Sequence, residues 1–200
     1  MKEIILNKAA DLFLHYGFKS ITMDDIANEL AISKKTIYKF FMHKSDLVEE
    51  STVLVHEKVN QMISEIIMKN FNAIEENFVI KSVFKDMFKN VKTSPMFQLK
   101  KYYPSTYAKL MEQQLCTFSE CVRENMEKGI REKLYRSEID IQMVMKFYFR
   151  LIYGAYEGDL FGENMQDIIK TEIKILEYHT RSIATPKGVK ILEEQLINYQ

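Results

Sequence analysis

TMDDIANELAISKKTIYKFF, residues 22–41, holds two helix starts on either side of a three-residue turn. Thr22 followed by Asp25 is the pattern of a capping box, in which hydroxyl and carboxylate each satisfy a free backbone N–H. Ser33 offers a second hydroxyl cap. From the first start, Ile26, Ala27 and Leu30 form the inward stripe of a short helix. The turn is Ala31-Ile32-Ser33, with Ile32 free to pack inward. A third helix is expected over 34–41, with Ile37, Phe40 and Phe41 inward and Lys34, Lys35, Tyr38 and Lys39 outward. Two short helices across such a turn form a helix-turn-helix, whose second helix enters the major groove of DNA with its first residues aimed at base edges.

Outward from this stretch, 3.6-residue periodicity continues almost everywhere and strand-like alternation nowhere, so an all-α chain is expected. Upstream, residues 2–16 place Ile5, Ala9, Leu12, Phe13 and Tyr16 on one face, and Gly17 is positioned to stop that helix. Downstream, a long helix is expected over 45–70. Its apolar positions cannot all face one way, which calls for two packing partners. Further helices are expected near 74–92, 104–128, 137–157, 165–182 and 187–199, for nine or ten in all. Ser94-Pro95, Tyr103-Pro104 and Thr185-Pro186 read as caps followed by a first helical proline, and Ser137 with Asp140 reads as another capping box. With three prolines, six glycines and no flexible linker, a head of residues 1–47 should join a body of residues 48–200 rigidly through the long helix.

Charge is distributed unevenly. The chain of 200 residues carries no net charge, which argues against a nucleic-acid partner if only the total is read. Residues 31–47, however, contain Lys34, Lys35, Lys39 and Lys44 against Asp46 alone. Lys34 and Lys35 stand at the groove-entering end and are candidates for guanine O6 and N7. Tyr38 and Lys44 suit phosphate, which fixes register without reading sequence. Thr22 can add its hydroxyl and neighbouring N–H groups to a phosphate at a helix N-terminus. Against this stands the alternative that four lysines are simply a solvated face, or dock a protein partner.

Residues 4–47 resemble the N-terminal domain of the TetR family of transcriptional regulators. The resemblance is carried by five elements in order: Ala9-x-x-Leu12-Phe13, Tyr16-Gly17-Phe18, Thr22-x-x-x-Ile26-Ala27, Ser33-x-x-Thr36-Ile37-Tyr38-x-x-Phe41, and Lys44-x-x-Leu47. It implies a double-stranded DNA partner with Thr36, Tyr38 and Lys44 near phosphate and Lys34, Lys35 and Lys39 setting the operator, and Ser33 is a further candidate DNA contact. One departure is Leu30-Ala31, where the family commonly has Ala-Gly before the turn residue. Ala31 then occupies a glycine-like conformation at a cost of about 1 kcal/mol if its φ is positive.

In the body, the resemblance implies a small-molecule effector cavity and a homodimer built on the last two long helices, matched to a near-palindromic operator. The stretch 71–128 is rich in Phe, Tyr and Met, which is ordinary core in most proteins but also suits an adaptable apolar cavity. Phe84, Phe88, Tyr103, Tyr107, Met111 and Phe118 are the candidate pocket residues for a largely apolar effector. The segment 137–161 is apolar nearly all round, which means burial on two sides. Phe147, Leu151, Tyr156, Ile169, Ile173 and Leu176 are the candidate dimer contacts.

Several function classes are disfavoured. Every window of eight residues contains Asp, Glu, Lys or Arg, so no membrane-spanning helix is expected. The charged N-terminus is unlike a signal peptide, which points to the cytoplasm. Cys116 and Cys121 lie about 140° apart around a helix and should not pair. His15, His43, His56 and His179 lack metal-ligand spacing, and no nucleophile elbow, phosphate loop or zinc signature is present, so neither enzyme chemistry nor a cofactor is expected.

Overall fold

The computed structural model describes residues 1–158 and 160–199 and contains ten helices among them. They are α1 (Lys2–Tyr16), α2 (Met23–Glu29), α3 (Lys34–Tyr38), α4 (Lys44–Ile67), α5 (Ala73–Phe88), α6 (Pro95–Tyr102), α7 (Pro104–Arg131), α8 (Ile141–Tyr156), α9 (Met165–Ile183) and α10 (Pro186–Asn198). Two isolated bridges, Thr93 with Asn164 and Tyr135 with Ala184, tie loops together.

The head packs α1, α2 and α3 around Ile5, Phe13, Ile26, Ile37, Phe41 and Leu47, all essentially inaccessible to solvent. Gly17 ends α1 with φ 90°. A Cβ there would lie 2.5 Å from Oε1 of Gln98, so both the conformation and the close approach of α6 require glycine. Tyr16, expected on the inward face, is instead 65% exposed because it is the last residue of α1, beside this turn. α3 is shorter than expected. Lys39 caps it, Phe40 N and Phe41 N both donate to the Ile37 carbonyl, and the tightened turn throws Phe40 outward while Phe41 stays buried.

The head core does not stop at the start of α4. Leu99 of α6 and Leu110 of α7 belong to it, with Tyr103 and Tyr107 packed against its edge. The body forms a second core from α5, α8, α9 and α10, joined by Leu134 and the fully buried Tyr135. Tyr135 lies directly on Gly129 of α7, where a Cβ would meet its ring at 2.1 Å. Its hydroxyl, within 3.3 Å of Asn125 Oδ1, joins a buried polar group in which Asn125 Nδ2 donates to Glu76 Oε1 at 2.7 Å and Lys128 meets Glu76 at 2.6 Å. A second buried pair, Lys81 with Glu172 at 2.7 Å, joins α5 to α9. Charges this deeply buried persist only because each is paired.

α8 begins at Ile141 rather than 137. Asp140 is its N-cap, accepting from Met143 N at 3.0 Å, so the box expected between Ser137 and Asp140 gives way to a single cap at Asp140. The proline-marked starts stand as read: Ser94 Oγ and Thr185 Oγ1 cap α6 and α10, and Pro104 opens α7.

Candidate nucleic-acid interface and ligand channel

The helix-turn-helix is held by its own caps. Thr22 N and Thr22 Oγ1 both donate to Asp25 Oδ2, at 2.8 and 2.7 Å, while Asp25 N donates to Thr22 Oγ1 at 3.2 Å. Those bonds hold the Asp25 carboxyl below its usual range, the side-chain bond most of all. Ser33 Oγ accepts from Thr36 N at 3.2 Å and shares a hydrogen bond with Thr36 Oγ1 at 2.8 Å. The turn between them has Ala31 at φ 52°, the left-handed region, with Ala31 N bonded to Asn28 O and Ile32 N to Ala27 O, each at 3.0 Å. This is the conformation that glycine adopts without cost.

The outward face of α3 presents Lys34, Lys35, Tyr38 and Lys39 to solvent, with Thr36 half-buried behind them. Lys34 is not free: its ammonium lies 2.7 Å from Asp24 on α2. Lys44 is placed differently from the others. Its ammonium donates to the carbonyls of Phe18 and Lys19 and lies over the Phe13 ring. Partial burial pushes its pKa down. It braces the turn between α1 and α2, and its remaining donor capacity is what stays available for phosphate.

These features decide what the chain is similar to. Residues 5–51 match the family described as bacterial regulatory proteins, tetR family. Residues 5–51 are thus a TetR-type N-terminal domain. A crystal structure of a transcriptional regulator from Cytophaga hutchinsonii superimposes with a TM-score of 0.75 at 21% identity, over 92% of this chain and 98% of that one. A TetR-family regulator from Agrobacterium tumefaciens gives 0.71 at 17% identity, over 92% and 97%. At this identity they establish the shared fold. Among curated relatives, the biofilm operon icaADBC HTH-type negative transcriptional regulator IcaR of Staphylococcus aureus is 29% identical over 110 residues. That alignment takes in 55% of this chain and 53% of IcaR, so the chain spans about half the length of the curated relatives it matches. YhgD of Bacillus subtilis, an HTH-type regulator, is 34% identical over 64 residues, 32% of this chain and 34% of that protein.

Beneath the TetR-type head runs an apolar cavity of about 210 Å³. Phe84, Phe88 and Phe118, three of the residues expected at a pocket, line it. Tyr103, Tyr107 and Met111 do not. The α7 residues that line the cavity are Leu110, Gln114, Phe118 and their neighbours, and Met111 is a third of a turn away from that stripe. Tyr103 packs edge-on against Phe18, and Tyr107 donates to Glu157 at 3.1 Å. Burial first, then Glu157, pushes the Tyr107 hydroxyl up to about 12.

Other lining residues were not singled out by hydrophobic patterning because they are polar. His56 of α4 has Nδ1 2.9 Å from Gln114 Nε2 and Nε2 3.1 Å from Asn60 Nδ2, and Tyr153 donates to Gln114 Oε1 at 2.7 Å. Burial pushes the His56 pKa down, which keeps the ring neutral. Cys121 also lines the cavity, and burial together with Glu124 and Glu120 pushes its thiol up, away from reactive thiolate. The head itself supplies part of the wall, through Ala10, Phe13, Leu14 and Phe18.

On the exposed face of α8, Met143, Phe147 and Leu151 repeat every four residues and are 44%, 61% and 39% exposed. They form one continuous apolar stripe. Tyr156, Ile169 and Leu176, also expected at a dimer contact, instead point into the protomer's own core, where they are at most 8% exposed. Ile173 is half-buried. No helix among the described residues is long and apolar enough to cross a membrane.

Proposed function

We propose that this chain is a homodimeric DNA-binding repressor, released from a near-palindromic operator by a small, largely apolar effector. The observation that carries the reading is α3: a capped helix presenting Lys35, Tyr38 and Lys39 on one exposed face, braced against a buried helix-turn-helix core. Such a helix fits the major groove, lysines reaching base edges and the Tyr38, Ser33 and Thr36 hydroxyls reaching phosphate. Thr22, at the N-terminus of α2, adds a further phosphate contact. Negative regulation follows IcaR, whose name describes a negative transcriptional regulator.

The exposed stripe of Met143, Phe147 and Leu151 is the surface for a second copy. Two heads related by a two-fold axis then meet half-sites about one helical turn apart. Signal passes from cavity to head along two routes that the packing supplies. α1 forms a wall of the cavity directly. α6 lines it through Met96 and Leu99 while its Gln98 Oε1 accepts from Phe18 N at 2.9 Å. An occupant that favours one pose of these helices shifts the spacing of the two heads.

A salt titration tests the reading. Affinity of the purified protein for native chromosomal fragments should fall steeply with ionic strength, and Lys35→Ala with Lys39→Ala should remove discrimination between fragments. A flat salt response would instead assign the lysine face to a protein partner.

A further inference from the structure

The cavity is a channel rather than a chamber. Its lining residues run from Ser51 to Ile67 on α4 and from Leu110 to Asn125 on α7. At 1.5 Å per residue these stripes are about 24 and 22 Å long. The two helices run parallel, since Glu49 meets Lys109 at 2.6 Å and His56 meets Gln114 at 2.9 Å, in step along both. About 210 Å³ of space drawn out over that length is narrow. A compact enclosed cavity of about 150 Å³ accommodates benzene, so this one holds roughly eight to ten non-hydrogen atoms, strung out rather than clustered.

The polar groups on the wall restrict the occupant further. Ser51 is 1% exposed, lines the channel at its head-proximal end, and its Oγ has no hydrogen-bond partner. The adjacent Thr52 shows the usual alternative, donating to the Val48 carbonyl at 2.8 Å. A buried hydroxyl left unpaired is costly, and a ligand group that pairs with it gains in proportion. The ionic groups, by contrast, are already matched: Lys81 with Glu172, and Glu76 with Lys128. An ionised ligand would therefore bring an unpaired charge into an apolar site.

We propose that the channel binds an unbranched aliphatic chain of about eight to ten atoms ending in a neutral hydrogen-bonding group, an alcohol, ester or amide, seated at Ser51. The proposal rests on the effector reading above and narrows it from an apolar molecule to a chain-shaped one. An extended chain advances about 1.2 Å per bond, so ten atoms span roughly half the lined length. Seated at Ser51, the polar group lies beside Ala10, Phe13 and Leu14 of α1, which puts its contacts on the head itself.

The test uses the intact protein and straight-chain 1-alkanols of six to fourteen carbons in titration calorimetry, beside a fused bicyclic ten-carbon alcohol and decanoate. One 1-decanol should bind per subunit, at least tenfold tighter than the bicyclic alcohol or decanoate, with affinity peaking between eight and ten carbons. Ser51→Ala should weaken 1-decanol about fivefold, the value of one hydrogen bond, keep the dependence on chain length, and raise the melting temperature of the ligand-free protein. Val59→Phe, which fills the channel at mid-length, should abolish binding while the helical circular dichroism is retained. If the bicyclic alcohol binds as tightly as the chain, the chain proposal is overturned and the effector reading stands. If no alcohol binds saturably, the chain proposal is likewise overturned, and the effector reading is then judged separately by whether an apolar cell extract releases the protein from DNA.

Discussion

Lys34 Nζ lies 2.7 Å from Asp24 Oδ2, tying the first residue of α3 to α2 across the turn. The pair is exposed on both sides and raises the Lys34 pKa through the bond to Asp24. Its importance lies in placement. A carboxylate sits at the groove-entering end of the recognition helix, where it occupies one cation and repels phosphate. Asp24→Asn should therefore tighten binding to all duplexes severalfold and steepen the slope of log affinity against log salt by about one. Equal slopes for the two proteins would mean that the Asp24 carboxylate does not face the phosphates.

Ala31 occupies the left-handed region at φ 52° without the glycine that this conformation favours. A Cβ there costs about 1–2 kcal/mol, offset in part by the extra freedom glycine has in the unfolded chain. Ala31→Gly should stabilise the protein by about 0.5–1 kcal/mol, seen as a higher urea midpoint at unchanged slope. A fall in stability would show that the turn is not strained.

The contrast between this turn and the body shows what the sequence makes legible. Caps and turns are local, so Thr22, Ser33 and the strain at Ala31 can be read from neighbours a few residues away. Phe40 and Tyr16 escape that reading because the tightened end of α3 turns Phe40 outward and α1 ends at Tyr16, where no neighbour covers it. In the body, periodicity marks a residue as apolar without saying what covers it. Phe147 and Tyr156 sit on the same helix, yet one faces solvent and the other the protomer core. Family resemblance pointed to a cavity, but its wall depends on how α4 and α7 pair. Ser51, His56 and Gln114 give no signal in a search for apolar stripes.

His179 of α9 stacks on Tyr148 with ring centroids 3.9 Å apart, and its burial lowers its pKa to about 4 from an ordinary 6.5. The folded state thus holds the ring neutral while the unfolded chain takes up a proton below pH 6.5. Stability from this group is complete above pH 6.5 and is lost as pH falls towards 4, by about 3 kcal/mol in all. Urea unfolding of His179→Phe between pH 7 and 4 should show a correspondingly shallower pH dependence. An unchanged dependence would place the acid sensitivity elsewhere.

Gln98 of α6 accepts from Phe18 N at 2.9 Å, at the turn that leads into the helix-turn-helix. If α6 carries the signal, Gln98→Ala should bind DNA and effector nearly as before but lose most of the coupling between them. Such coupling is typically worth 1–3 kcal/mol. DNA release measured with and without effector would check this, and full release by the variant would leave the α1 wall as the route.

The central claim is that α3 reads duplex DNA in two copies. Selection of bound duplexes from a random-sequence library by the intact protein tests it most directly. One near-palindromic site should be enriched, its half-sites about one helical turn apart, which Lys35→Ala or Lys39→Ala alters and Tyr38→Phe weakens without altering. Recovery of a library no different from its input would contradict it.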